Sequence, residues 1–255
     1  EHEYMETSDY IFGKNAVIEA LTSNNRDINK IFISKNLHSD AKLNKIKELA
    51  LQNNIVFQFV SKEKFMPFNE FNHQGVMAQV SPIKYTELDD FLSMEHDNAS
   101  VVVLDGVEDP HNLGAIIRTC VCAGVEAIII PTRRNAQINS IVEKTSAGAI
   151  NHIKIIKVNS LVNAIQKLKK SDWWIIATDA SANDNYYNVD YNNMNFALVM
   201  GAEHAGVSKS IIKLSDMLVK IPMMKDFNSL NVSNALSIII FETVRQKNIN
   251  NAKKM

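Results

Sequence analysis

Four uninterrupted apolar runs, at 101–104, 127–130, 173–177 and 196–200, constrain this chain more than any other feature. A strand with one wet face alternates apolar and polar residues. A strand that is apolar throughout is buried on both faces, which is the situation inside a parallel sheet covered by helices. Helix-patterned segments follow these runs at 113–123, 139–147, 160–170, 207–214 and 230–247. Strands and helices in that alternation predict a parallel α/β domain built with right-handed crossovers.

The first eighty residues read differently. A helix is predicted over 13–21 and another over 41–51, with strands at 28–33, 55–60 and 76–80, some of them half-buried by their alternation. This is the pattern of a small α/β unit able to fold alone. Ser81-Pro82 marks a break, because proline disfavours helix in the residue before it. The expected organisation is therefore a domain over 1–81, a linker with a short helix over 82–99, and a larger domain over 100–255. A length of 255 residues suits two domains.

Composition narrows the function classes. No apolar stretch approaches the ~20 residues that a membrane-spanning helix needs, so no membrane partner is expected. The opening EHEYMETSDY is acidic and polar, unlike a secretion signal. The only cysteines, Cys120 and Cys122, would lie about 200° apart on a helix, so they neither form a disulfide scaffold nor chelate one metal. A cytoplasmic protein without metal is expected. Lys+Arg 27 against Asp+Glu 28 gives a net charge of −1. Counted by thirds of the chain the balance stays even, with 10 basic and 10 acidic residues in 1–84, 9 and 10 in 85–170, and 8 and 8 in 171–255. Taken alone, that argues against a protein that binds nucleic acid by bulk charge.

Ligands of an open parallel sheet bind beyond the carboxyl ends of its strands. Three such junctions carry unusual polar residues. In VVVLDGVEDPHNLGAIIRTCVCAG, residues 101–124, Asn112 falls where a helix N-cap is expected, and Arg118 lies about 140° off the apolar stripe. A cap and a solvated charge explain these two as well as a site does. In NFALVMGAEHAGVS, residues 195–208, Gly201 and Gly206 permit close backbone approach, while Glu203 either orients a ligand or offsets a helix dipole. In VKIPMMKDFNSLNVSNALSIIIFETVRQ, residues 219–246, Ser229, Asn231, Ser233 and Asn234 crowd the start of an apolar helix. Four uncharged polar groups exceed what capping needs. The dinucleotide fingerprint G-x-G-x-x-G is absent, which disfavours a nucleotide-dependent oxidoreductase.

In order and spacing, DPHNLGAIIRT, LVMGAEHAGVS and IPMMKDFNSLNVSNA resemble the three motifs of the SpoU–TrmH family of RNA ribose 2′-O-methyltransferases. The N-terminal YIFGKNAVIEAL is similar to the start of the small ribosomal-protein-like substrate-binding domain of that family, and the nearest likeness is to bacterial 23S rRNA guanosine-2′-O-methyltransferases. The resemblance implies a C-terminal methyltransferase domain threaded into a deep trefoil knot, a bound S-adenosyl-L-methionine, and a homodimer whose active site draws on both subunits. It implies that Gly201, Ile221 and Leu230 line the cofactor site. It has Asn112 and Glu203 orient Arg118 and the nucleotide, and Ser229 and Asn231 hold the ribose and the methionine end of the cofactor. Arg118 would help to activate the ribose hydroxyl. An arginine is a poor base, with a pKa above about 12, so positioning the hydroxyl and its phosphate is the simpler role.

The expected function is thus methyl transfer from S-adenosylmethionine to a ribose 2′-hydroxyl of RNA, with a guanosine of 23S rRNA as target. Methylation of tRNA or another rRNA nucleoside is the alternative within the class. An RNA-binding assembly factor without catalysis is the alternative outside it. His111, the pair Arg133 and Arg134, and Trp173 with Trp174 read equally well or better as turn, surface and packing residues.

Overall fold

The computed structural model describes residues 10–23, 26–202, 205–225 and 229–253. The chain forms two compact units, Glu1–Lys84 together with Ile138–His152, and Tyr85–Gln137 together with Ile153–Met255.

The first unit holds a mixed four-stranded sheet. Its strands are β1 (Tyr10–Phe12), β2 (Ile28–Ser34), β3 (Phe57–Val60) and β4 (Val76–Val80), in the order β1-β4-β2-β3. β4 pairs antiparallel with β1 and β2, while β2 and β3 run parallel. Helices α1 (Lys14–Thr22) and α2 (Ala41–Gln52) cover one face, burying Val17, Ala20, Leu43 and Ile46 against Ile31, Ile33, Val76 and Ala78. The α2 helix starts where Asp40 accepts the Leu43 amide at 2.8 Å, a capping bond that satisfies an otherwise orphaned donor. The opposite face carries an aromatic cluster of Tyr10, Phe32, Phe65 and Phe68.

The second unit begins earlier than the sequence suggests. The segment expected as a linker, 82–99, carries α3 (Leu88–Leu92), whose Leu88 and Phe91 are buried in the second unit's core. Their apolar side chains are removed from water there, which a free linker would not do. The seven-stranded sheet that follows comprises β5 (Ser100–Asp105), β6 (Ala127–Pro131), β7 (Lys154–Val158), β8 (Trp174–Thr178), β9 (Asp184–Asn185), β10 (Phe196–Gly201) and β11 (Met217–Lys220). Every pairing in it is parallel, and the order is β7-β6-β5-β10-β8-β11-β9. The continuous apolar strands β5 and β10 occupy its centre, their apolar residues buried as double-sided coverage requires.

Helices α4 (Pro110–Cys122), α6 (Leu161–Lys170), α7 (Lys209–Leu214) and α8 (Val232–Lys253) belong to the second unit, and α5 (Ser140–Ser146) belongs to the first. That last assignment is invisible in the sequence order. Glu143 of α5 pairs with the buried Arg26, and burial pushes its carboxyl up to about 7 although the Arg26 guanidinium pulls it down. Among the described residues no helix is long and apolar enough to cross a membrane.

Candidate active site

The site lies at the carboxyl ends of the central strands, beyond β5, β10, β8 and β11. β10 closes on Gly201, whose neighbour Ala202 forms an isolated bridge with Gly206, with the Gly206 amide on the Ala202 carbonyl at 2.9 Å. This tight return leaves no room for a side chain. A Cβ on Gly201 would stand within 3.0 Å of backbone atoms of Gly206 and Val207. The glycine is therefore demanded by close backbone approach.

Around that return opens a cavity of about 710 Å³. It is lined by Gly201, Ile221, Leu230 and Ser229, with Thr178 and Asp179 at the end of β8, Lys220 closing β11 and Lys225 after it. The size falls within the range of ~300–1,000 Å³ that holds small-molecule ligands and cofactors. Asp179 accepts the Ser181 amide and hydroxyl, and those hydrogen bonds hold its carboxyl below the usual range.

Asn112 departs from its expected place. The helix cap of α4 is Asp109, which accepts the His111 amide at 2.9 Å, with Pro110 at the first helical position. Proline suits that position because its missing donor is one that no helix satisfies. Asn112 is thus inside the helix and released from capping. Its Oδ1 accepts a hydrogen bond from Asn231 Nδ2 at 2.9 Å. Asn231 in turn stands just before α8, and its Oδ1 accepts the Ser233 amide at 3.0 Å. Capping accounts for one end of the Asn231 amide and the bond to Asn112 for the other. The helices α4 and α8 also meet where the Thr119 and Ser237 hydroxyls lie 3.3 Å apart.

The structure thus brings Gly201, Ile221, Leu230 and Ser229 around one cavity and joins Asn112 to Asn231. Arg118 is exposed on α4 and does not line the cavity. Six residues after Asn112, it sits about 120° around the helix from it. Glu203 lies outside the described residues. Thr178 and Asp179 are cavity residues that the sequence pattern did not single out, although they follow an apolar strand in the same way as the three junctions that did stand out. Trp173 is buried against Phe91 and His96, while Trp174 is 47% exposed at the start of β8. Among the described residues no group of three or more His, Cys, Asp or Glu is placed to hold a metal ion.

The model of the SpoU rRNA Methylase family matches residues 99–241, and that for RNA 2′-O ribose methyltransferase substrate binding matches residues 10–86. The chain belongs to the SpoU–TrmH family of RNA methyltransferases. A relative from Staphylococcus saprophyticus, named for the TrmH family of tRNA/rRNA methyltransferases, is 38% identical over 93% of this chain and 96% of its own length. The crystal structure of the SpoU methyltransferase AviRb from Streptomyces viridochromogenes shares the fold, with a TM-score of 0.81 at 20% identity over 96% of this chain and 91% of its own. An AdoMet-bound rRNA methyltransferase from Sinorhizobium meliloti aligns with a TM-score of 0.78 at 25% identity, over 94% of this chain and 87% of its own. The SpoU–TrmH match spans both units, so the sheet-end cavity and the N-terminal sheet both fall within family-matched segments.

Proposed function

We propose that this chain transfers the methyl group of S-adenosyl-L-methionine to a ribose 2′-hydroxyl of RNA, with a guanosine of 23S rRNA as its target. The observation that carries the reading is the convergence of Gly201, Ile221, Leu230 and Ser229 on one cavity, next to the bonded pair Asn112 and Asn231. The cavity fits the cofactor in kind. Its wall at Gly201 is bare backbone, which offers amide and carbonyl groups at close range, and its size suits one nucleoside-like ligand. The Sinorhizobium relative with bound AdoMet supports the same assignment.

When bound, S-adenosylmethionine supplies a methyl on a sulfonium, an electrophile that needs no metal. What is left to the chain's own residues is positioning, since the ribose hydroxyl must be held in line with that methyl at near-attack distance. Asn112 and Asn231 are fixed against each other by their hydrogen bond, which sets where the start of α8 and the first turns of α4 meet the ribose. Ser229 adds a hydroxyl at the cavity wall. Arg118 stands away from the cavity of its own chain, which fits a homodimer in which it serves the active site jointly with the partner subunit. Glu203 would orient it. With the cofactor bound, Arg118 would polarise and place the hydroxyl and phosphate, and the hydroxyl proton would pass to solvent as the methyl is transferred. We assign RNA recognition to the N-terminal unit, a trefoil knot to the cofactor-binding end of the C-terminal one, and the cytoplasm as the place of action. The test is transfer of tritium from labelled S-adenosylmethionine to unmodified rRNA and tRNA. Counts on rRNA alone support the proposal, and counts on tRNA alone move the substrate to tRNA. No counts on either RNA overturn it.

A further inference from the structure

The loop after β6, residues 132–137, lies beside the site and holds two arginines that the cavity does not use. β6 neighbours β5, whose following turn leads into α4 and Asn112, while the cofactor cavity opens beyond β10, β8 and β11. The arginine loop therefore flanks the turn between β5 and α4 that leads into Asn112. β6 and β10 are separated only by β5, which sets them about 10 Å apart at two strand spacings.

The loop is built rather than draped. Asn135 is 9% exposed, and its Oδ1 accepts the Val107 amide at 3.0 Å while its Nδ2 donates to the Ala136 carbonyl at 3.0 Å. The Ala136 amide bonds to the Val107 carbonyl at 2.7 Å, and the Thr132 amide to the Val158 carbonyl at 2.9 Å. Gln137 Nε2 spans the turn to the carbonyls of Pro131 and Asn135. Arg134 is forced to a φ of 56°, a left-handed conformation that costs an ordinary residue on the order of 1 kcal/mol or more. A Cβ on Gly106 would lie 3.9 Å from the Arg134 carbonyl and 3.4 Å from Ala202, which itself lines the cavity, so the turn abuts the motif that leads into Asn112.

Arg133 and Arg134 stay exposed on this fixed turn and make no hydrogen bond or ion pair among the described residues. No acidic residue occurs between Glu126 and Glu143. In a chain of net charge −1, two adjacent guanidinium groups with no ion-pair partner among the described residues leave a local positive charge on this turn. Their chemistry suits bidentate contact with phosphate.

We infer that Arg133 and Arg134 form a phosphodiester-binding subsite that grips the RNA strand next to the ribose held at Asn112 and Asn231. This rests on the reading of the chain as an RNA methyltransferase. Neither arginine lines the cavity, whose cations among the described residues are Lys220 and Lys225, so a carboxylate of the cofactor is met there and not at the turn.

The experiment uses the full chain as Arg133→Gln/Arg134→Gln, with Arg134→Gly and Arg134→Lys as separate variants. RNA affinity is read by filter binding across salt, methyl transfer gives KM and kcat, and calorimetry gives cofactor affinity. The double variant should raise the RNA Kd and KM roughly tenfold or more, with a much smaller change in kcat, and should flatten the salt dependence by about 0.7 per lost contact. Arg134→Gly satisfies the left-handed turn and removes the guanidinium, so a structural role predicts wild-type binding and the subsite predicts loss. Arg134→Lys should recover part of the affinity. Unchanged RNA affinity and salt slope in the double variant overturn the subsite, as does a loss confined to cofactor affinity. A wild-type chain that binds RNA in an arginine-dependent way but methylates none would overturn the methyltransferase reading and keep the subsite.

Discussion

Gly201 gives the sharpest structural test. Replacing it with alanine puts a methyl carbon within 3.0 Å of the Gly206 carbonyl group and the Val207 amide nitrogen, all of it backbone. No rotamer change relieves a clash with main chain. Either the 206–207 segment retreats by about an ångström or β10 shifts against β5, with which Gly201 pairs opposite Asp105. Overpacking of this kind costs about 1–3 kcal/mol, and a backbone obstacle belongs at the upper end. For a chain of this size, about 3 kcal/mol corresponds to a Tm roughly 6–12 °C lower. Gly206→Ala is the matched comparison. Its Cβ would meet nothing within 4 Å, so only its φ of 66° penalises alanine, by roughly 1–2 kcal/mol. Scanning calorimetry should therefore rank wild type above Gly206→Ala and that above Gly201→Ala. Titration with S-adenosylmethionine should show at least a tenfold loss for Gly201→Ala, because Gly206 and Val207 wall the same cavity. A Gly201→Ala protein as stable as wild type, with wild-type cofactor affinity, would refute the close-approach argument.

The same geometry sets three other outcomes. Asn112→Ala and Arg118→Ala should each reduce methyl transfer by about two orders of magnitude or more, with stability changing by less than about 1 kcal/mol, since both act by placing groups at a partly open site; near wild-type rates in both would remove them from the mechanism. Phe91→Ala should lower the stability of the second unit by about 3–5 kcal/mol, read by urea unfolding, because Phe91 is fully buried there; a surface-like effect would restore the linker reading. Glu143 is raised from 4.5 to about 7, so the folded unit holds its proton across a range where the unfolded chain releases it. Its stabilising contribution is fully present below pH 4.5 and is lost as pH rises through about 7. At about 1.4 kcal/mol per pH unit it amounts to on the order of 3 kcal/mol. Unfolding free energies of wild type minus Glu143→Gln should fall by that order between about pH 4.5 and 8, and a flat difference would contradict the burial argument.

What the sequence made legible follows from physical cause. β5, β6 and β10 were readable because burial on both faces leaves no polar residue in the run. β7 was not, since it is an edge strand whose Lys154 and Lys157 interrupt the pattern. β1 is three residues long, too short to show a period. The convergence of Gly201, Ile221 and Leu230 was legible only through the motifs, because nothing local in these residues says that they share a cavity. Asn112 lies inside α4 and not at its cap, because the pair Asp109-Pro110 carries the stronger start signal. Thr178 and Asp179 carry no such signal, because their strand ends without glycine or an unusual cluster. The left-handed Arg134 and the company of α5 depend on long-range contacts that periodicity cannot report.

The even charge of the chain also acquires a role. An RNA methyltransferase without basic excess must hold RNA by shape and by a few placed cations, and its salt dependence should be correspondingly shallow.

Ribose 2′-O-methylation is read most directly by mass mapping of 23S rRNA before and after incubation with the protein and S-adenosylmethionine. The expected result is one added methyl group on the ribose of a single guanosine, absent when Asn112 is replaced by alanine. A methyl group on a base, or no added methyl on any RNA from a cofactor-binding protein, would contradict it.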